Sequence, residues 1–297
     1  MENIISVQNF SKYFGEKQVI KNISFSVKKG EIFAYLGING SGKTTTIRSL
    51  LNIYKADSGD LKILGEKISD GIFNKIGYLP EERGLYLDEN VFEILLYFAK
   101  LRGLSEKQAT QNIDKYLQRV DLVDKKFTKL KKLSSGQQQK VQFGIAVIHN
   151  PEILILDEPM KGLDPINRQL FIDMILEQKA KGTTILFSSH QMEDVEKMVD
   201  SLIILKNGEI GAYGKLKDVK AKYGQNTVKV VFEGKIPENK NFYEINTKTN
   251  NFAELKVKQG TSSQEILKYF LENNLIINKF EYSEPSLNDI FISINKI

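Results

Sequence analysis

Eight consecutive residues, Gly37-Ile38-Asn39-Gly40-Ser41-Gly42-Lys43-Thr44, carry the clearest chemistry in the chain. A glycine, four residues and then Gly-Lys-Thr is the pattern of a phosphate-binding loop. Its glycines let backbone N–H groups turn inward around an anion. The helix that follows adds the positive end of its dipole. Lys43 would reach the β- and γ-phosphates of a nucleotide, and Thr44 would ligate Mg²⁺. Asn39, Gly40, Ser41, Gly42 and Thr45 complete this candidate nucleotide-binding set.

A second constellation is the apolar run Ile153-Leu154-Ile155-Leu156 ending in Asp157-Glu158. A buried strand would set Asp157 at its tip, beside the phosphate loop, where it would hold Mg²⁺ directly or through water. Glu158 would polarise an attacking water as general base. The chain has no cysteine and only two histidines, His149 and His190, among its 297 residues. A disulfide framework, a thiolate metal site and a cysteine nucleophile are excluded. His149 sits at a helix end before Asn150-Pro151 and reads as structural.

The surrounding elements fit these roles. Ile4 to Phe10, Ile23 to Val27 and Ile32 to Leu36 read as strands, followed by the glycine loop and a helix from about Lys43 to Leu51. Val91, Ile94, Leu95, Phe98 and Leu101 recur at helical spacing. Ser105 and Gln108 form a capping-box pattern before a face of Ala109, Ile113, Leu117 and Val120. A helical block thus interrupts the α/β pattern over about 88–148. The runs Ile153 to Leu156 and Thr183 to Phe187 read as strands buried on both faces. Asp164-Pro165 starts a helix between them. Leu202 to Leu205, Asn207-Gly208 and Glu209 to Tyr213 read as a hairpin.

From about residue 217 the pattern changes. Val228 to Phe232, Tyr243 to Asn246, Leu255 to Val257 and Ile276 to Tyr282 read as strands. Ser262 with Glu265 opens one helix, and Ser286 to Ile294 forms another. The formal charge of +5 is too small to argue for a nucleic-acid partner. No run approaches the roughly 18 apolar residues of a membrane helix, and no secretion signal opens the chain. An intracellular protein without its own membrane span is expected. The lysines at 125, 126, 129, 131 and 132 form either a solvated face or one meeting phosphate head groups or a partner.

A third motif, Leu133-Ser134-Ser135-Gly136-Gln137, precedes the acidic strand by 20 residues. Together the three motifs resemble those of ATP-binding-cassette (ABC) ATPases over about residues 1 to 217. Leu163-Asp164 resembles the family's D-loop, and His190 its switch histidine. The resemblance implies an α/β fold: a phosphate-loop NTPase (RecA-like) core over 1–217 with an inserted helical subdomain. A small C-terminal α+β domain over 218–297 follows.

It also implies ATP and Mg²⁺ as ligands and a head-to-tail dimer with ATP between two copies or paralogues. Lys43, Asp157, Glu158 and His190 of one copy would face Ser134, Gly136 and Gln137 of the other, with Asp164 nearby. Phe14 matches the adenine-stacking position, with Tyr13 as the alternative. Two departures stand out. Glu81 replaces the family's glutamine, keeping an oxygen ligand for Mg²⁺ but adding charge. Ser135 replaces the first signature glycine.

Glu81 to Tyr86 and Glu284 to Phe291 resemble a subset that includes sodium-efflux and drug-export types. The function implied is the ATPase subunit of an exporter, working with a separate polytopic membrane subunit at the inner face of the cell membrane. The alternative is a non-transport ABC ATPase, such as a ribosome-associated factor. Such factors carry two cassettes, and this chain has a single phosphate loop. A phosphate-loop kinase would make the third motif accidental.

Overall fold

Ile4, Ile5 and Val7, with Phe10 and Ser11 further on, are buried along β1 (Asn3–Phe14). This strand forms an antiparallel hairpin with β2 (Lys17–Lys28), and β4 (Ser58–Ile63) pairs along its other edge. The computed structural model describes residues 2–67, 71–82, 84, 86–224 and 226–296. Arg83 and Leu85, within the stretch expected to mark an exporter subset, lie outside them. Both hairpin strands run longer than their apolar runs suggest. Asn9 and Asn22 take positive φ at irregularities in the pairing, so polar residues continue the strands past the hydrophobic segments.

The second sheet has six strands in the order β5-β6-β7-β3-β8-β9. They are β5 (Ile76–Leu79), β6 (Ile153–Asp157), β7 (Thr184–Ser189), β3 (Ile32–Gly37), β8 (Ser201–Lys206) and β9 (Glu209–Lys215). The pairs from β5 through β8 are parallel. The strands β3, β6 and β7 are buried throughout, as continuous apolar runs require. Asn207-Gly208, both at positive φ, turns β8 into β9. Parallel order has one consequence for function. The loops after β5, β6, β7 and β3 all leave from the same edge, in neighbouring positions.

Helix α1 (Lys43–Leu50) follows β3. The buried Tyr35 hydroxyl donates to Thr46 Oγ1 at 3.0 Å, and that hydroxyl donates to Gly42 O. Burial pushes the Tyr35 phenol well above its usual range. The inserted block contains α2 (Val91–Leu101), α3 (Glu106–Arg119) and α4 (Ser135–Val147). The capping box of α3 is present, and Ala109, Ile113, Leu117 and Val120 are buried. On α2 the expected stripe is corrected at its end. Leu101 is 60% exposed, and Ala99 is buried in its place.

Helix α5 (Pro165–Ala180) is capped by Asp164, with proline at its first position. The short α6 (Met192–Glu196) follows β7. Of the lysines in the 125–132 stretch, Lys125, Lys126 and Lys131 pair with Asp124, Asp114 and Asp88. These pairs favour the reading of a solvated face.

The chain divides into two compact units, Met1–Gly214 and Lys215–Ile297. The second has an antiparallel sheet in the order β11-β12-β10-β13. Its strands are β10 (Thr227–Glu233), β11 (Tyr243–Lys248), β12 (Phe252–Val257) and β13 (Ile276–Ser283). Ile266 and Phe270 of α8 (Ser263–Glu272) share a core with Val228, Val230, Phe232 and Leu255. Helices α7 (Leu216–Tyr223), unmarked by the sequence patterns, and α9 (Leu287–Asn295) complete the unit.

His149, just past α4, fixes β5 in place. Its Nε2 donates to Ile76 O at 3.2 Å, and its Nδ1 is buried without a partner among the described residues. Burial lowers its pKa from 6.5 to about 4, with the Arg102 charge adding to the shift. The folded chain therefore binds fewer protons here than the unfolded one. The neutral ring's contribution is complete above the ordinary histidine range and is lost as pH falls from there toward 4. Urea unfolding of wild type and His149→Gln should show a stability difference that changes between pH 7.5 and 5. The expected slope is at most about 1.4 kcal/mol per pH unit. A pH-independent difference would contradict this account.

Candidate active site

The phosphate loop turns from the end of β3 into α1. Gly40 and Gly42 adopt φ of 80° and 107°, a region open to glycine at little cost. Gly42 also caps α1 with no side-chain bond to its first N–H groups, so those donors remain available to an anion. Ser41 Oγ is buried without a hydrogen-bond partner among the described residues. Asn39 and Gly40 are exposed, and Thr44 and Thr45 are half-buried.

Lys43 is 7% exposed. Its Nζ donates to Gly37 O at 2.8 Å and to Ile38 O at 3.4 Å. It also lies 3.6 Å from Glu158 Oε1. The other oxygen, Glu158 Oε2, accepts from His190 Nδ1 at 2.8 Å. With that proton on Nδ1, a neutral ring presents Nε2 as an acceptor. Donation from Nε2 to a phosphate needs the imidazolium or a change of partner at Nδ1. The expected residues Lys43, Glu158 and His190 thus converge.

Asp157 ends β6 and is fully buried. The β6–β7 register sets it opposite Ser188. Ser188 Oγ donates to Asp157 Oδ1 and accepts the N–H of Glu158 at 2.9 Å. Glu158 itself sits at φ 50°, an uncommon conformation for a residue with a Cβ. One hydroxyl therefore orients both adjacent acids. Burial raises the Asp157 pKa, opposed by the Ser188 and Thr44 hydroxyls. Although Thr44 lies near, Asp157 Oδ2 finds no hydrogen-bond partner of proper geometry among the described residues.

Those atoms test the site for Mg²⁺. A buried carboxylate oxygen without a partner, beside a threonine hydroxyl, suits a hard divalent ion that completes its shell with water and phosphate. Among the described residues no three His, Asp or Glu side chains form a metal cage, so the protein alone offers a partial shell. Glu81, the third expected ligand, is engaged elsewhere: its Oε1 accepts from Lys161 Nζ at 2.7 Å.

Ser134, Gly136 and Gln137 make no hydrogen bond to the Lys43–Glu158 group among the described residues. Ser134 caps α4, accepting from Gln137 N at 3.3 Å, while Gln137 Oε1 accepts from Ser134 N at 2.9 Å. Asp164 is occupied as the cap of α5, bonded to Asn167. Phe14 is 46% exposed at the end of β1, edge-on to Tyr54 at 5.4 Å. Tyr13 is also exposed, with its N–H donated to Asp57.

Sequence patterns missed three positioning groups besides Ser188. Buried Gln139 donates to Pro159 O at 2.8 Å. Gln142 donates to Pro80 O and Glu82 O at 3.3 and 3.2 Å. Lys161 holds Glu81. Only the polar run at the start of α4 hinted at the first two.

The sequence profile described as "ABC transporter" matches residues 20–161. That described as "ATP-binding protein DrrA1-3-like, C-terminal domain" matches residues 214–294. An uncharacterized ABC transporter ATP-binding protein of Bacillus subtilis, YhaQ, is 38% identical over 97% of each chain. The bacitracin transport ATP-binding protein BcrA of Bacillus licheniformis is 32% identical over 99% of this chain and 98% of its own. Among solved structures, the ATP-binding subunit of an ABC transporter superposes with a TM-score of 0.70 at 32% identity. That match covers 74% of this chain and 93% of the other.

Ser188→Ala would leave the Glu158 N–H and Asp157 Oδ1 without their shared partner. A loss of about 1–3 kcal/mol in unfolding free energy is expected. On the expected roles, ATP turnover should fall by more than nucleotide affinity, because the Glu158 backbone loses its anchor while Lys43 keeps its contacts to the phosphate loop. Urea titration and steady-state kinetics measure the two effects; a larger loss in affinity than in turnover would contradict the assignment.

Proposed function

The chain belongs to the ABC transporter ATP-binding proteins, which are ATPases, and from that premise we propose that it powers an exporter. The observation that carries the ATP-hydrolysing part of the reading is the convergence of Lys43, Glu158 and His190 beside the unpartnered Asp157 Oδ2. On this reading Lys43 and the open N–H groups of α1 bind the β- and γ-phosphates. Thr44, Asp157 and, once released from Lys161, Glu81 hold Mg²⁺, with Asn39 to Thr45 around the nucleotide and Phe14 against its base. Mg²⁺ supplies charge neutralisation between the phosphates.

Glu158 accepts a proton from water as that water attacks the γ-phosphorus, whose bond to the bridging oxygen breaks to release ADP. His190 keeps the carboxylate oriented. Ser134, Gly136 and Gln137 of a second copy or a paralogue close the site, with Asp164 at the same junction. The free N–H groups at the start of α4 suit a phosphate there.

Export is supported by the bacitracin transport relative and by the full-length similarity, which includes the second unit. Sodium, drugs and peptides are the cargo classes; a separate membrane subunit would choose among them. Among the described residues no helix is long and apolar enough to cross a membrane. The chain would work at the inner membrane face through such a partner.

A groove of about 490 Å³ lined by Tyr86, Glu89, Glu93, Ile94 and Tyr97 is the candidate contact. It follows Glu81 closely in the chain. Its aromatic and acidic lining suits a basic element with an apolar side.

Glu158→Gln should retain nucleotide binding, lose roughly 10²–10⁴-fold in turnover, and elute as an ATP-bound dimer. Normal hydrolysis by that variant would overturn the assigned base. For the partner, Glu89→Lys with Glu93→Lys should lower recovery with membranes carrying the membrane subunit by roughly tenfold. Nucleotide affinity should stay unchanged. Unaltered recovery would remove the groove from the reading.

A further inference from the structure

Glu81 adds a third carboxylate to the field around Asp157 and Glu158, and like charges repel. Lys161 answers that charge. It lies in the turn after β6, where its N–H donates to Glu158 O at 3.1 Å. Its ammonium bridges to the loop after β5, 2.7 Å from Glu81 Oε1. Lys161 is also 58% exposed on a flexible stem, unlike the enclosed Lys43. A hydrated point charge in that position can leave its partner without being stranded in a dry interior.

We propose that Lys161 is a built-in counter-cation for Glu81, exchanged for the divalent ion when nucleotide binds. The inference rests on the reading above that places Glu81 toward that ion. A neutral glutamine would need no such partner, so the glutamate and the lysine form one unit. Two charges on the incoming ion would outweigh one on the lysine, and the unpartnered Asp157 Oδ2 would also help to hold the ion. An exposed pair competes only weakly. The expected effect is therefore a shift in Mg²⁺ requirement, not loss of the site.

The test is a Mg²⁺ titration of binding of a fluorescent, non-hydrolysable ATP analogue to four proteins: wild type, Lys161→Met, Glu81→Gln and the double variant. Lys161→Met should lower the Mg²⁺ midpoint by about two- to fivefold. The same change made on Glu81→Gln should have no effect. An equal shift on both backgrounds would show a diffuse field effect and overturn the exchange, as would an unchanged or raised midpoint in Lys161→Met. If wild type bound no analogue at any Mg²⁺ concentration, the nucleotide site itself would fall, a result distinct from either.

Discussion

A buried ammonium needs a complete set of acceptors, and that need at Lys43 shapes everything around it. Water reaches little of this side chain. Two backbone carbonyls from its own loop and one carboxylate replace it. To offer Gly37 O and Ile38 O, the loop must curl back over itself, which the positive-φ glycines allow. To offer Glu158, β6 must end in a left-handed residue beside the loop. That residue's N–H must then find a partner, and Ser188 supplies it from β7. The parallel order β6-β7-β3 brings all three strand ends within reach.

The parts of the site that were legible in the sequence are those whose chemistry is contiguous. Gly37 to Thr44 and the Asp157-Glu158 pair declare themselves because each motif holds its own reactive groups. Ser188 does not. It looks like any strand serine, and its importance comes from a register that pairs it with Asp157 across 31 residues. Gln139 and Gln142 are masked by polar neighbours, although the helix buries them. The strand β5 was also hidden. It is short and contains Gly77, which a β-rule penalises. Yet a Cβ at Gly77 would meet Ala146 O at 2.0 Å, so α4 can approach β5 only over a glycine. Leu101 misled in the opposite direction: periodicity placed it inside, but the face rotates onto Ala99.

Helix α4 joins regions that lie far apart in sequence. Its first turn carries Ser134 and Gly136. Its body grips Pro80 and Glu82 through Gln142, and Pro159 through Gln139. Just beyond its end, His149 holds Ile76. A packed helix moves as a unit. Any displacement of its N-terminus must carry the loops after β5 and β6 along, or break these bonds. The loop bearing Glu81 and the turn bearing Lys161 are thus tied twice, once by this helix and once by their own ion pair.

On the proposed reading, the contacts of Glu158 bear on when it could act as a base. Both oxygens are engaged, Oε1 by Lys43 and Oε2 by His190. On the proposed reading, phosphate oxygens are better acceptors for Lys43 than Gly37 O and Ile38 O, because they carry charge. Nucleotide would then draw the ammonium from Glu158 Oε1 and leave that oxygen facing the crevice. His190 would remain on Oε2, so the carboxylate keeps its orientation while Oε1 becomes open to water. The same contact that satisfies Lys43 would keep Glu158 Oε1 from water until phosphate replaces it.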